Sequence, residues 1–287
     1  MTRVVVIGDV MVDVVASLSG PVAVGDDSPA RIEVRGGGSA ANVAAWGAAA
    51  LVGRVGADAR GAAAVAELRA AGVEPFLAVD DERPTGTCIV LVAPGGERTM
   101  FPDAGANDAL SPEDLPAALL RAGDHLHVAG YALLREGSRE AARSAIERAV
   151  AAGMTVSVDP SSAALVSPAF LELAEGARLL LPNAAEAVAL TGESDPVLAA
   201  RALAERFGEV VVKLGAEGAL WTDGVEQVRA PAVRVSAVDS TGAGDAFAAG
   251  LLAARVRGAA PAEALAAGCE LAARAVVTEG ARPPVSG

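Results

Sequence analysis

Short apolar runs recur along this chain, and each is continuous rather than alternating. Val4 to Gly8, Leu51 to Val55, His125 to Ala129, Thr155 to Val158, Leu179 to Leu181 and Val210 to Leu214 read as strands buried on both faces. Between them lie alanine-rich stretches of helical character: Ala62 to Ala71, Ser138 to Ala152 and Val197 to Phe207. Each is followed by a glycine (Gly72, Gly153, Gly208), where a helix can stop. This rhythm predicts βαβ units and a mostly parallel sheet covered by helices. Two more helices are predicted near the end, Ala246 to Arg257 and Pro261 to Val277, the second opened by a proline.

Two regions break the rhythm. Asp13 to Arg35 has no helical pattern and alternates at Arg31-Ile32-Glu33-Val34-Arg35. Thr85 to Pro102 reads as a hairpin, Cys88 to Ala93 and Glu97 to Phe101 around Pro94-Gly95-Gly96. The expectation is one α/β domain over residues 1–287, with a small β appendage built from segments near 13–35 and 85–103.

Composition narrows the function. Hydrophobic residues make up 52% and aromatics 3% of 287 residues, so the core must be built from Ala, Val and Leu. The net charge of −13 argues against nucleic acid as a partner. A small phosphate remains open, because backbone N–H groups can hold it. With only Cys88 and Cys269, a disulfide framework and a cysteine-rich zinc site are excluded, and free thiols fit a reducing cytoplasm. The uncharged stretch between Arg35 and Arg54 holds too much glycine and polarity for a membrane span. Asp9 and Asp13 interrupt any signal-peptide core.

The chemistry concentrates in Asp239-Ser240-Thr241-Gly242-Ala243-Gly244-Asp245, which opens into a helix. Small residues at 242–244 let backbone approach a ligand, and the helix start offers free N–H groups to an anion. Asp245 is then a carboxylate at an anion site, either a helix cap or a base taking the proton of an attacking hydroxyl. A Walker A loop would need Gly-Lys-Ser/Thr, which is absent. A second signal is Gly36-Gly37-Gly38-Ser39-Ala40-Ala41-Asn42, a glycine cradle ending in an amide suited to sugar hydroxyls, or equally a turn with a capping Asn. Lys213 is the chain's single lysine, a compact charge for a phosphate or simply a strand end reaching solvent. His125 and His127 share one strand face, more in keeping with structure than with a metal site that lacks a third ligand nearby.

Together the two glycine motifs resemble the signatures of the ribokinase-like, or PfkB, carbohydrate kinases. The first runs from Gly37-Gly38 and Asn42 through Gly53-Arg54-Val55-Gly56, Asp58 and Gly61; the second is Asp239 to Asp245. The resemblance implies a ribokinase-like three-layer α/β/α fold with a small β-sheet lid, and ATP-dependent transfer to a hydroxymethyl group. It makes Asp245 the base and Gly242, Ala243 and Gly244 the anion hole. Asp13, Gly37, Gly38 and Asn42 would hold the acceptor, with Arg98 a candidate reaching from the lid. Asn183 and Glu186 would serve the phosphates and Mg2+, the latter through water. Lys213, Gly215, Gly218 and Thr241 would line the nucleotide. Asp239 and Thr241 are candidates for a monovalent cation such as K+. A homodimer through the lid is expected.

Some positions depart from ribokinases proper, which carry Asn where Met11 stands, Gly-Lys-Gly where Gly38-Ser39-Ala40 stands, and a Glu where His127 to Tyr131 has none. The expected acceptor is therefore a neutral sugar or sugar-like molecule not tied to ribose. A nucleoside kinase of adenosine- or pseudouridine-like specificity is the alternative. A non-catalytic sugar- or nucleotide-binding protein is a more distant one. A Rossmann oxidoreductase is disfavoured, since no Gly-x-Gly-x-x-Gly follows the first strand.

Overall fold

The computed structural model describes residues 2–284. The chain opens with β1 (Val4–Ile7), then steps aside into β2 (Met11–Leu18) and β3 (Ala30–Gly37). It returns through α1 (Ser39–Gly47), β4 (Ala50–Gly56), α2 (Ala59–Ala70) and β5 (Glu74–Asp80). A second excursion forms β6 (Gly86–Val92) and β7 (Arg98–Asp103). Then come β8 (His125–Ala129), α3 (Gly130–Leu134), α4 (Glu136–Ala151), β9 (Thr155–Asp159), α5 (Phe170–Leu173) and β10 (Leu179–Leu180). The chain continues as α6 (Ala184–Thr191), α7 (Pro196–Phe207), β11 (Glu209–Lys213), β12 (Ala219–Thr222), β13 (Gln227–Ala230), α8 (Ala243–Arg255) and α9 (Pro261–Val276).

The main sheet runs β13-β12-β11-β10-β9-β8-β1-β4-β5, parallel from β11 to β5. The six expected apolar runs are β1, β4, β8, β9, β10 and β11, within a residue or two. The sheet does not end at Val210 to Leu214, however. Antiparallel β12 and β13 extend that edge, and β5 adds the other. The sequence reading named none of these three strands, although β5 contains the apolar run Phe76 to Val79. β12 and β13 are four residues each, joined through Asp223-Gly224. β5 carries Glu74 and Pro75, which an edge strand tolerates.

Residues along the central strands pack alternately on the two sides. Val5, Ile7, Leu126, Val128, Val156 and Val158 meet α4 to α7. Val6, Leu51, Leu179, Leu181 and Val211 meet α1, α2, α8 and α9. The result is the three-layer α/β/α arrangement. His125 and His127 lie in the middle layer, both bonded to the Ser157 hydroxyl at 2.7 and 2.8 Å. Burial, with the neighbouring His127, drives His125 down to about 3; burial drives His127 down to about 4. Both are neutral core groups near neutral pH. Among the described residues no His, Cys, Asp and Glu side chains gather as a metal-holding group, and both cysteines are free and buried. No described helix is long and apolar enough to cross a membrane.

The two irregular segments form one antiparallel-edged sheet, ordered β3-β2-β6-β7. β2 joins them by pairing in parallel with β6. This small sheet stands beyond the carboxyl end of β1, where open α/β sheets bind ligands.

Candidate active site

The helices α1 and α8 both start at this end of the sheet, and their first turns differ. At α1 the Asp9 carboxylate accepts the N–H groups of Ser39 and Ala40 at 3.2 Å each, so that end already holds an anion. At α8 the cap is Gly242, which has no side chain to offer. Its φ of +73° and the Ala281 carbonyl oxygen, 2.5 Å from where a Cβ would stand, leave room for glycine alone. The Ala243 N–H reaches back to the Ser240 carbonyl at 3.3 Å, so the neighbouring N–H groups and the dipole of α8 are what this end offers an external anion.

Asp245 lies in that first turn. Its Oδ1 accepts the Ser39 hydroxyl and its Oδ2 the Asn42 amide N–H, both at 2.8 Å. Burial pushes its pKa up to about 7, against the downward pull of those two hydrogen bonds. A carboxylate poised near neutrality suits a base that takes a proton and gives it back.

On the far side, β9 and β11 end at Asp159 and Lys213. The Lys213 ammonium lies 2.5 Å from Asp159 Oδ2. Burial works against its charge, yet Asp159 and then Glu186 outweigh it and hold the pKa up. Glu186 and Asn183 form a reciprocal capping box on α6, Asn183 accepting at 2.9 Å and Glu186 at 2.8 Å. Glu186 is 2% exposed, and burial followed by the charge of Asp159 raises its pKa. Two carboxylates beside one lysine therefore carry a surplus of buried negative charge. That donor set fits Mg2+, which takes one or two carboxylates and keeps water and phosphate as its other ligands.

Across the loop, Asp13 faces Gly37, and no Cβ would fit between Gly37 and that carboxylate. Burial raises Asp13 to about 6, with Arg282 lowering it and Asp9 raising it further. Arg98 reaches from β7 to pair with Asp239, and Arg35 lies 3.5 Å from the same carboxylate. Asp239 also accepts from the Thr241 N–H and hydroxyl at 2.8 and 2.6 Å, which tightens the turn into α8.

Two clefts flank this turn. One, of about 340 Å³, lies under the small sheet and is lined by Asp13, Arg31, Arg35, Arg98 and Asp239. The other, of about 680 Å³, is mostly apolar, with Val233, Phe247 and Val276 beside Lys213, Gly215, Gly218 and Gly244. Both share Ala237 and Ser240 in the segment that leads into α8. A cleft lined by charged side chains and a mostly apolar cleft thus converge on a helix start with a carboxylate in it.

Comparison with known proteins agrees with this geometry. The family model described as pfkB family carbohydrate kinase matches residues 1–286. The chain belongs to the pfkB family of carbohydrate kinases. An ATP-dependent ribose-1-phosphate kinase of Halopiger xanaduensis is 35% identical over 260 residues, 88% of this chain and 84% of that protein. A fructokinase of Klebsiella pneumoniae is 33% identical over 88% of this chain and 83% of its own. The crystal structure of adenosine kinase from Sinorhizobium meliloti superposes with a TM-score of 0.90 at 29% identity, covering 99% of this chain and 97% of that one. This pfkB chain is accordingly an ATP-dependent phosphotransferase acting on a carbohydrate or nucleoside.

The structure brings Asp245, Gly242, Ala243, Gly244, Lys213, Asn183 and Glu186 to one end of the kinase sheet, and sets Asp13, Gly37, Gly38, Asn42 and Arg98 across from them. Gly215 and Gly218 line the apolar cleft; Asp239 and Thr241 form the turn between the two. Asn42, expected to meet sugar hydroxyls, lies against Asp245. It is 5% exposed and spends its N–H on Asp245. Asp9, Ser39, Asp159 and Arg282 escaped the sequence reading. Asp9 lies just after β1 and shortly before Asp13, and Ser39 lies inside the glycine cradle, so position was a signal for both. Asp159 and Arg282 stand alone in sequence, without a motif around them.

Proposed function

We propose that this kinase transfers the γ-phosphoryl group of ATP, with Mg2+, to a hydroxymethyl group of a neutral sugar or sugar-like acceptor. The observation that carries the reading is the convergence of the two clefts on the uncapped start of α8, with Asp245 inside its first turn. The acceptor would lie against Asp13 and the Gly37–Gly38 backbone, its hydroxyl directed at Asp245. Transfer of this kind asks for positioning and charge neutralisation. The N–H groups of 242–244 would meet the transferring group, and Lys213 would stand beside it. Bound Mg2+, held by ATP oxygens with Glu186 reached through water, would neutralise phosphate charge.

Support for a neutral acceptor comes from the charges in its cleft. Arg31, Arg35 and Arg98 are balanced by Glu33, Asp239 and Glu279 in ion pairs, and Asp13 adds a further acid. A second reading has its own observation: the same three guanidinium groups could receive a phosphorylated sugar if it displaced Asp239 or Glu279, and one relative is named for ribose 1-phosphate. An ADP-release assay over fructose, ribose, ribose 1-phosphate and adenosine decides. Turnover confined to the phosphorylated sugar overturns the neutral reading; turnover with none overturns both.

The small sheet serves as the lid of a single α/β unit in this reading, with Arg98 as its latch on Asp239. The Asp239–Thr241 turn is the candidate seat of a monovalent cation. Arg98 and Arg35 occupy the Asp239 carboxylate, which leaves the backbone oxygens of the turn as the groups that would hold K+. The partners are small molecules and a second copy of the chain through the lid, and the compartment is the cytoplasm.

A further inference from the structure

Arg282 lies outside both glycine motifs, and its side chain runs into the middle of the site. The segment that carries it is pinned at several points. The Gly280 N–H donates to Asp239 Oδ2 at 3.0 Å, the Trp46 indole donates to the Ala281 carbonyl at 2.9 Å, and Ala281 packs on Gly242. Arg282 itself is 7% exposed. Its Nη2 donates to the Gly37 carbonyl at 2.6 Å, its Nη1 lies 3.1 Å from Glu67 Oε1, and its Nε faces Asn42 Oδ1 at 3.4 Å. The other end of the Asn42 amide donates to Asp245.

This relay has one consistent polarity. A guanidinium only donates, so Asn42 must turn its oxygen to Arg282 and its NH2 to Asp245. A donor aimed at a carboxylate favours the ionised form; an amide oxygen there favours the acid. A flipped Asn42 would therefore hold Asp245 as a carboxylic acid, unable to take a proton. Burial already pushes Asp245 that way, so the polarity of the amide has a consequence for the chemistry.

We propose that Arg282 is a positioning residue for phosphoryl transfer: it fixes the orientation of the Asn42 amide and thereby keeps Asp245 a proton acceptor. The proposal rests on Asp245 as the base. It assigns to the segment after α9 a part in the reaction that neither glycine motif contains.

Steady-state kinetics of Arg282→Met, Arg282→Lys, Asn42→Leu and the double variant Arg282→Met/Asn42→Leu test it, each with a melting curve. Arg282→Met should lower kcat about ten- to a hundredfold while KM for ATP stays at the parent value. Arg282→Lys should return kcat to within about threefold of the parent, because an ammonium also only donates. If Arg282 acts through Asn42, the double variant should be no slower than Asn42→Leu alone. Parent kcat in Arg282→Met, losses that multiply in the double variant, or an Arg282→Lys as slow as an inactive enzyme would each overturn the role. The lysine variant keeps the buried charge and carries the test if Arg282→Met does not fold. Asp245→Asn is measured beside them. If it stays active, the base assignment fails and this proposal with it. If it is inactive while Arg282→Met matches the parent, only the role of Arg282 fails.

Discussion

A carboxylate can act as a base only while it is ionised, and Asp245 sits where burial opposes ionisation. With its pKa near 7, kcat/KM should rise with pH through that value and level off above it. Asp245→Asn should remove about 10²- to 10⁴-fold of the rate while acceptor and ATP still bind. The same shift has a stability consequence of definite sign. Asp13 and Asp245 have folded pKa values of about 6 and about 7, above the ordinary 3.8. The folded state binds the extra protons between those limits. The stability they contribute is complete below about pH 4 and is lost as pH rises through about 6 and about 7. Thermal melts should therefore show Asp245→Asn more stable than the parent at pH 8, with the gap closing toward pH 4. A lower melting point for the variant at pH 8 would contradict this account. Asp245 could be found in the sequence because it follows small residues at a helix start. Asp159 could not, since its partner Lys213 is 54 positions away and nothing local marks a strand-ending acid. Arg282 is further still from Asn42, 240 positions along the chain.

At the level of elements, the turn into α8 separates two glycines that look alike in sequence. Gly242 is left-handed and jammed against Ala281, so Gly242→Ala should destabilise the fold by about 1–3 kcal/mol. Gly244 lies in ordinary helix, and a Cβ there would meet only the Lys213 ammonium and side chain, at 3.6 and 3.9 Å. Gly244→Val should therefore fold and melt near the parent while losing turnover, because its branches fill the phosphate side of the loop. A melt and a rate from one preparation distinguish the two; a Gly244→Val that unfolds would remove the anion-hole reading. The neighbouring turn offers another check: with K+ seated on its backbone oxygens, replacing K+ by Na+ in the assay should lower the rate, and an unchanged rate would remove the cation site. Element existence was legible wherever the pattern was strong. The buried parallel strands announced themselves as unbroken apolar runs, and the hairpin by Pro94-Gly95-Gly96. β12 and β13 did not, because four-residue strands at an edge give too short a pattern to register.

For the molecule as a whole, the outer face of the small sheet is apolar and open. Val34, Val14, Ile89 and Phe101 are aligned across four strands by the pairing register. Val34 is 67% and Phe101 54% exposed, with Ile32 beside them. Such a patch on a sheet that stands away from the α/β/α layers fits a self-complementary contact between two copies. Sedimentation should show a dimer, and Phe101→Glu with Val34→Glu should yield monomers that keep their fold. A monomeric parent would rule out the lid interface. The division into core sheet and small sheet was readable from the break in rhythm at 13–35 and 85–103. The exposed stripe was not, since only the register shows which apolar residues share the outer side.

The Trp46 indole hydrogen-bonds the Ala281 carbonyl, in the segment that carries Arg282 and seats on Gly242. The chain's other tryptophan, Trp221, lies in β12 and donates to Glu209, away from both clefts. Replacing Trp221 by phenylalanine would leave one tryptophan, and its emission would come from the segment between the turn into α8 and the cleft under the small sheet. Entry of water beside the indole shifts emission to the red, whereas loss of that hydrogen bond without water shifts it to the blue. Titrating acceptor and nucleotide separately into this single-tryptophan protein would then show, by colour alone, which ligand tightens the segment and in what order the two clefts fill.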